Sequence, residues 1–413
     1  MKWKTCCKHI AAILMLAGAF TATAFASDVD DPAVMNQIVH GRMLPIAMST
    51  ALDTGTLLFS DSPEYVTEDG ILYGDKVTGD VRVYFYHVNQ SSIPKKVVVM
   101  AYNPSDEPVS IILRGYQYTK PSTSYYLVGK QLSTMYYEGD TPINRVTVAP
   151  HGYTLVGSRL NGVAVQPDEL FSGIVDMTVP ISMYISTLMM PMDTDPVAFI
   201  QQQKYLPSDN VKLRGTFRGK DRSLRTLVPY APSDGVGYIK IGDGIDDRFL
   251  RGRDVMDNRE SENTGNYGVD YSIAIRTKGD GPIHMYFNPQ GGEYAGVAEL
   301  IYADPSGKTA GDKKIVSLPR EKLSMGLGDP YAIQYVDTFN AGTNVTVHIM
   351  PPGAANLPVR IILVPDKQLQ QAADAADDLK DLQNKAKKKV EAAQQEKDDQ
   401  AKKAAQEIKN TQK

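Results

Sequence analysis

The sequence of 413 residues predicts an all-β protein: two tandem immunoglobulin-like β-sandwich domains followed by a long charged C-terminal α-helix. Three observations predict it. Short apolar runs separated by turn residues recur over 57–188 and again over 211–364, a spacing that suits sandwiches and not strand–helix–strand units. The two regions resemble each other. "VYFYHVNQSSIPKKVVVMAYNPSDEPVSIIL" and "VDYSIAIRTKGDGPIHMYFNPQGGEYAGVAEL" each read strand, turn, strand ending in Asn-Pro, turn, strand, and "VTVAPHGYTLVG" closes the first much as "VTVHIMPPGAANLPVRIILV" closes the second. From Asp366 onward Gly, Pro and aromatic residues vanish, and apolar residues recur at intervals of three and four. A duplication would place Asn103-Pro104 on Asn288-Pro289, and Pro150 near Pro352.

Residues 1–26 read as a secretory signal. Lys2, Lys4 and Lys8 precede an apolar run at 10–20, and Ala24-Phe25-Ala26 is a small-x-small cleavage site, so cleavage is expected before Ser27. That places the protein outside the cytoplasm, secreted or in the envelope or periplasm. Cys6, Cys7 and Trp3 all leave with the signal, so the mature chain has neither disulfide nor thiolate and depends on the size of its core. Loss of three lysines takes the net charge from −4 to −7. That acidity argues against nucleic-acid partners. No transmembrane span is expected in the mature chain, because its most apolar stretch, 174–192, is broken by Asp176, Pro180 and Pro191.

Residues 27–56 read as a lead-in and 57–190 as the first sandwich. A short helical linker is expected within 191–207, since Asp195 can cap a helix and Pro196 suits its first turn. The second sandwich follows at 208–365. Within it Val269, Tyr271, Ile273 and Ile275 alternate with Asp270, Ser272 and Ala274, and the glycines of 278–281 and 291–292 read as turns. Residues 366–413 form the charged tail. Its stripe, Leu369, Ala372, Ala376, Leu379, Leu382, Ala386, Val390 and Ala393, is mostly alanine. The expectation is a solvated helix starting near Asp366–Leu369 with few contacts to the β regions, a spacer or weak coiled coil through which an envelope component or another protein binds.

Few residues carry an obvious chemistry. The "GGEYAG" glycines match neither a dinucleotide nor a phosphate-loop fingerprint. His40, His87, His151, His284 and His348 show no metal-ligand spacing. Asp243, Asp246 and Asp247 in "GDGIDD" are candidate calcium ligands, outside the EF-hand pattern, and calcium is the one cofactor considered. Met183, Met189, Met190 and Met192, with Met177 nearby, offer thioethers for copper(I), although core packing explains methionines equally. Tyr116, Tyr118, Tyr125 and Tyr126, from a group that also includes Tyr84, Tyr86, Tyr136 and Tyr137, are candidates for stacking on a polysaccharide. No nucleophile motif appears.

The segments "SPEYVTEDGILYGDKVTGDVRVYFYHVN", "KLRGTF" and "GNYGVDYSI…NPQGGEYAG" resemble uncharacterised exported bacterial proteins labelled copper-amine-oxidase-like, over about residues 57–300. The oxidase that lends the label makes its quinone from a tyrosine in Thr-x-x-Asn-Tyr-Asp/Glu and holds copper with a His-x-His pair. Here Asn266-Tyr267 is present, but Thr264 is one residue too close, Gly268 replaces the acid and no His-x-His occurs. The resemblance therefore implies a family without implying its chemistry. The leading expectation is a non-enzymatic exported protein, a structural or adhesive module. The alternatives are a carbohydrate-binding protein using tyrosine faces, and a hydrolase whose carboxylates meet only in the fold.

Overall fold

A computed structural model describes residues 28–139, 141–202, 205–303 and 310–411; the signal expected at 1–26 lies outside them. In chain order the elements are α1 (Pro32–His40), β1 (Leu44–Pro45), β2 (Met48–Leu52), β3 (Thr56–Ser60), β4 (Tyr65–Val66), β5 (Gly70–Asn89), β6 (Lys95–Tyr102), β7 (Val109–Tyr118), α2 (Tyr125–Glu138), β8 (Asn144–Val148), β9 (Tyr153–Val156), β10 (Leu170–Pro191), α3 (Pro196–Ile200), β11 (Arg214–Arg218), β12 (Asp221–Thr226), β13 (Gly237–Ile241), β14 (Leu250–Asp254), β15 (Arg259–Asn263), β16 (Asp270–Ile275), β17 (Pro282–Asn288), β18 (Gly296–Ala303), β19 (Ala310–Leu318), β20 (Gln334–Asn340), β21 (Asn344–Ile349), β22 (Val359–Pro365) and α4 (Asp366–Thr411). The chain is thus mostly β, in open mixed sheets, with a C-terminal helix.

β5 and β10 organise the first half. They pair antiparallel from Leu170 opposite Val88 to Met189 opposite Gly70, with a register break between Val179 and Met183. A bulge of this kind bends a strand. One half of β10 takes β7 as its other neighbour and the far half takes β6. Both faces of β5 are buried. Val83 and Phe85 join one core with Val97, Val99, Ile111 and Val175. Tyr84 and Tyr86, on the opposite face of the pleat, join a second core with Tyr271, Ile273, Val347 and Ile361. The second core lies where a five-stranded sheet, β1-β13-β22-β17-β20, and a six-stranded sheet, β19-β18-β21-β16-β12-β2, meet the first.

Strands are shared across the expected spans. β11, β14 and β15, from within 208–365, extend the sheet built on 57–190 through β3, while β1 and β2, from the 27–56 lead-in, edge the two later sheets. Alternating polarity marks a segment as a strand but carries no information about its partner, and an open sheet edge accepts whichever strand the chain delivers.

Two helices differ from expectation. Residues 125–138, read as part of a strand region, form α2, with Val128 and Leu132 buried one turn apart. Gly129 lets this helix press on the 352–353 turn, because a Cβ there would sit 2.4 Å from the Gly353 carbonyl oxygen. The tail is not free of the body. α4 starts at Asp366 directly after β22, and its Leu369 and Ala376 are buried against Val34 and Ile38 of α1 and against Tyr286, Ile362 and Val364. The expectation of few contacts is corrected for these first turns: α1, capped by Asp31, supplies an apolar partner that the lead-in sequence did not reveal. Beyond them the stripe is bare, with Leu382 63% and Val390 69% exposed. α3 is short and capped by Asp195, whose Oδ1 accepts from the Ala198 N–H at 2.9 Å.

Candidate functional site: a polar cleft at Arg82

Two adjoining cavities, about 230 and 330 Å³, share Arg114, Gly115, Tyr136 and Asp176 in their walls and form one cleft between the first sheet, α2 and the six-stranded sheet. Its floor is Arg82 of β5, whose side chain is fully buried. The Arg82 guanidinium donates to Asp176 Oδ1 at 2.8 Å, to Asp221 Oδ1 at 3.0 Å, to Tyr136 Oη at 2.7 Å and to the carbonyls of Lys220 and Gly268 at 2.9 and 3.0 Å. Gly268 can present that carbonyl because it holds φ +75°. Buried arginine is tolerable only with such paired acceptors.

The opposite wall comes from the six-stranded sheet. Asp270 on β16 accepts from Tyr137 Oη at 2.8 Å and bonds His348 Nδ1 of β21 at 3.2 Å. Burial alone would raise the Asp270 carboxyl, but the bond and charge of His348, the Arg82 charge and the Tyr137 hydroxyl hold it below its ordinary value. Burial alone would lower His348, but Asp270, with Glu299 and Asp221, pushes it above its ordinary value. Lys313 of β19 bridges Glu299 at 2.5 Å and the Tyr137 carbonyl at 2.7 Å. The cationic side chains Arg82, Arg114, Lys220 and Lys313 nearly balance Asp80, Asp176, Asp221, Asp270 and Glu299. One acceptor is left over: Gln117 is buried and donates its Nε2 to Thr141 Oγ1 at 2.9 Å, while its Oε1 has no partner. Such a wall offers both donors and acceptors without a dominant charge, which suits hydroxyl groups better than an ion.

The sequence candidates lie elsewhere. Asp243 Oδ1 accepts from the N–H groups of Ile245, Asp246 and Asp247 at 2.9 to 3.0 Å, closing its own loop. Asp247 is buried against Arg222 and accepts from Gly242 N and Tyr271 Oη, and Asp246 is exposed. The three carboxylates do not converge, and among the described residues no group of three His, Cys, Asp or Glu side chains is placed to hold a metal. Met183 and Met189 lie in the core of the first half, whereas Met190 faces the other side of β10 with Leu188 and Phe199; Met192 is in the following turn. They too do not converge. Tyr116 is tied down by its hydroxyl, which donates to the Gly157 carbonyl at 2.6 Å, and Tyr118 packs edge-on to Phe171. Tyr125 and Tyr126 open α2, beside Tyr65 and Glu293 respectively. No shared face joins these four. The tyrosines that do line the cleft are Tyr136 and Tyr137, two and one residues from the end of the unforeseen helix. Tyr267, in the oxidase-like position, is half-buried, with its hydroxyl donating to the Ala355 carbonyl at 2.8 Å.

No protein-family model and no curated protein matches the chain. Among solved structures it is weakly similar to Fet3p, a multicopper oxidase that functions in iron import, at 8% identity and a TM-score of 0.11, over 72% of this chain and 61% of that one. The chain thus spans less than two thirds of that structure, and a likeness this slight says nothing of fold, copper or activity. Among the described residues no helix is long and apolar enough to cross a membrane.

Proposed function

We propose that this is an exported, non-enzymatic envelope or secreted protein that holds a segment of polysaccharide in the Arg82 cleft, with α4 as its helical extension. The observation that carries the reading is the cleft wall itself: its cations and carboxylates satisfy one another, which leaves a mixed lining of donors and acceptors, with Tyr136 and Tyr137 among them, and no dominant charge. A hydrolase acting on glycosides needs one carboxyl kept protonated near neutral pH. Asp270 is held in the opposite direction, so it is not that acid. The exported copper-amine-oxidase-like proteins remain the family this chain resembles, and none of that oxidase's chemistry is invoked.

The body reads as a duplicated pair of immunoglobulin-like sandwiches onto which other strands have been added. β6 pairs β9 and β7 pairs β8 antiparallel in the first region, and β17 pairs β22 and β18 pairs β21 antiparallel in the second. Asn103 and Asn288 are both fully buried at the strand ends that the duplication would align. Each donates to carbonyls of a distant segment, Asn103 to Val148 and Ala149 and Asn288 to Pro330 and Ala332, while Asn103 alone also bonds within its own turn, to the Glu107 carbonyl.

A glycan array followed by calorimetry on the best ligand tests the function. Binding is expected, weakened at least tenfold by Asp270→Asn. An absence of signal across neutral and acidic glycans overturns the binding role, and release of new reducing ends would move the protein to the hydrolases.

A further inference from the structure

Leu369, Ala372, Ala373 and Ala376 form the seam by which α4 lies against α1 and the neighbouring β strands. The seam continues past the end of α1. With Leu369 as position a of a heptad, Ala376, Val390 and Ala404 are also a, and Ala372, Leu379, Ala386 and Ala393 are d; Gln383, Lys397 and Gln400 interrupt it. In this continuation nothing among the described residues covers Leu379, 44% exposed, or Val390. Charge along the helix is ordered in blocks: four aspartates within 374–381, four lysines within 385–389, four acidic residues within 391–399, then Lys402 and Lys403.

We propose that α4 pairs antiparallel with α4 of a second copy of this chain, in the register that sets Val390 against Ala393. A parallel pair lays the lysine block beside its own copy, which is repulsive. The antiparallel register satisfies two independent conditions at once. Over 379–404, past the stretch that α1 covers, every a position meets a d position, giving Leu379 on Ala404, Gln383 on Gln400 and Ala386 on Lys397. The lysine block falls level with 394–398, which holds Glu396 and Asp398, and Lys389 and Glu396, both at g, face each other twice by symmetry. Leucine and valine then pack on alanine, so the helices approach closely. Lys397 and the glutamines weaken the pair and fix its register. The interface concerns the tail alone and is independent of the cleft.

Light scattering over a dilution series of the signal-free protein is expected to show twice the chain mass at high concentration and a single chain on dilution. Removal of 379–413 gives a single chain at every concentration. Lys389→Glu weakens the dimer several-fold, and adding Glu396→Lys restores it, a rescue that mere loss of helix would not give. A spin label on Ala405→Cys reads the orientation: the two labels stand 27 residues apart along the pair, about 40 Å at a rise of about 1.5 Å per residue, whereas a parallel pair holds them side by side. A monomer throughout, failure of the charge swap to rescue, or labels side by side each overturns the proposal.

Discussion

Arg82 and Arg214 are both fully buried arginines on strands of the first sheet, and each is met by two aspartates and by backbone carbonyls. Their surroundings differ. Arg214 donates to Asp254, itself 0% exposed, at 2.9 Å, to Asp257 at 2.9 Å, and to the carbonyls of Ser62, Leu72 and Leu206. Asp257 is part-exposed, as are both aspartates of Arg82; what Arg82 lacks is a fully buried partner like Asp254, and it has a cavity beside it. The neighbouring histidines follow suit. His87 bonds the Pro63 carbonyl and Ser60 Oγ; burial and the Arg214 charge outweigh those bonds and push it down to about 4. His348, in the cleft, is pushed up. One arrangement seals a charge to tie strands together. The other keeps paired charges in reach of a ligand.

The largest expected effect comes from breaking the sealed site. Arg214→Met leaves the buried Asp254 with Arg259 as its remaining arginine and strips the Ser62, Leu72 and Leu206 carbonyls of a donor, which together costs about 3–5 kcal/mol. Arg82→Met should cost about 1–3 kcal/mol, because water can reach Asp176 and Asp221. Urea denaturation of the two variants measures this, and equal losses would erase the distinction between the sites.

The histidines sharpen the contrast through pH. The folded-state value of His87 lies near 4, below the unfolded value of about 6.5. The unfolded chain therefore binds the extra proton, and stability falls as pH drops from about 6.5 to about 4, by on the order of 3 kcal/mol for a shift of this size. His348 runs the other way: its raised value contributes stability that is full below about 6.5 and is lost as pH rises through the folded-state value. Asp270, held low, contributes above about 3.8 and loses its contribution only on stronger acidification. His87→Gln is expected to flatten the acid side of the stability–pH curve and His348→Asn the decline that sets in above about 6.5. An unchanged acid limb in His87→Gln would show that the buried imidazole is not the source of the acid loss.

Strand positions were legible in the sequence because alternation tracks burial, as in 269–275, where Val269, Tyr271, Ile273 and Ile275 are 0–1% exposed and Asp270, Ser272 and Ala274 between them are only half-buried. The glycines of 278–281 and 291–292 are turns, with φ +88° and +96° at Gly279 and Gly281. α2 was hidden by its tyrosines, which favour strands by propensity, although Val128, Leu132 and Tyr136 recur every four residues. A short repeat was also overlooked. "NQSSIP" and "NPSDEP" share Asn-x-Ser-x-x-Pro, and each folds the same way: the buried Asn89 and Asn103 donate to the carbonyl four residues on, at 2.8 and 2.7 Å, and accept from the serine two residues on. The cleft itself was not legible. Arg82, Asp176, Asp221, Asp270 and His348 lie on five strands spread over more than 260 residues, and no local spacing records their meeting.

The smallest effect on stability is expected at Gln117, where the two kinds of site separate most sharply. In a sealed site each buried polar atom is needed, and truncating one leaves its partner unsatisfied. Gln117 has a partner only for its Nε2, so its Oε1 is carried through folding as an uncompensated acceptor. An orphaned buried acceptor costs about 1–3 kcal/mol. Gln117→Leu removes that cost together with one modest bond to Thr141, so stability should change by less than about 1 kcal/mol, with a gain as acceptable as a loss. Ligand affinity should nevertheless fall several-fold, because Gln117 lines the cleft and its amide holds Thr141 in the wall. Urea denaturation and calorimetric titration on the same preparation decide it. A variant that loses several kcal/mol but binds as before would make Gln117 a sealed residue like Arg214, and the cleft would lose the feature that sets it apart.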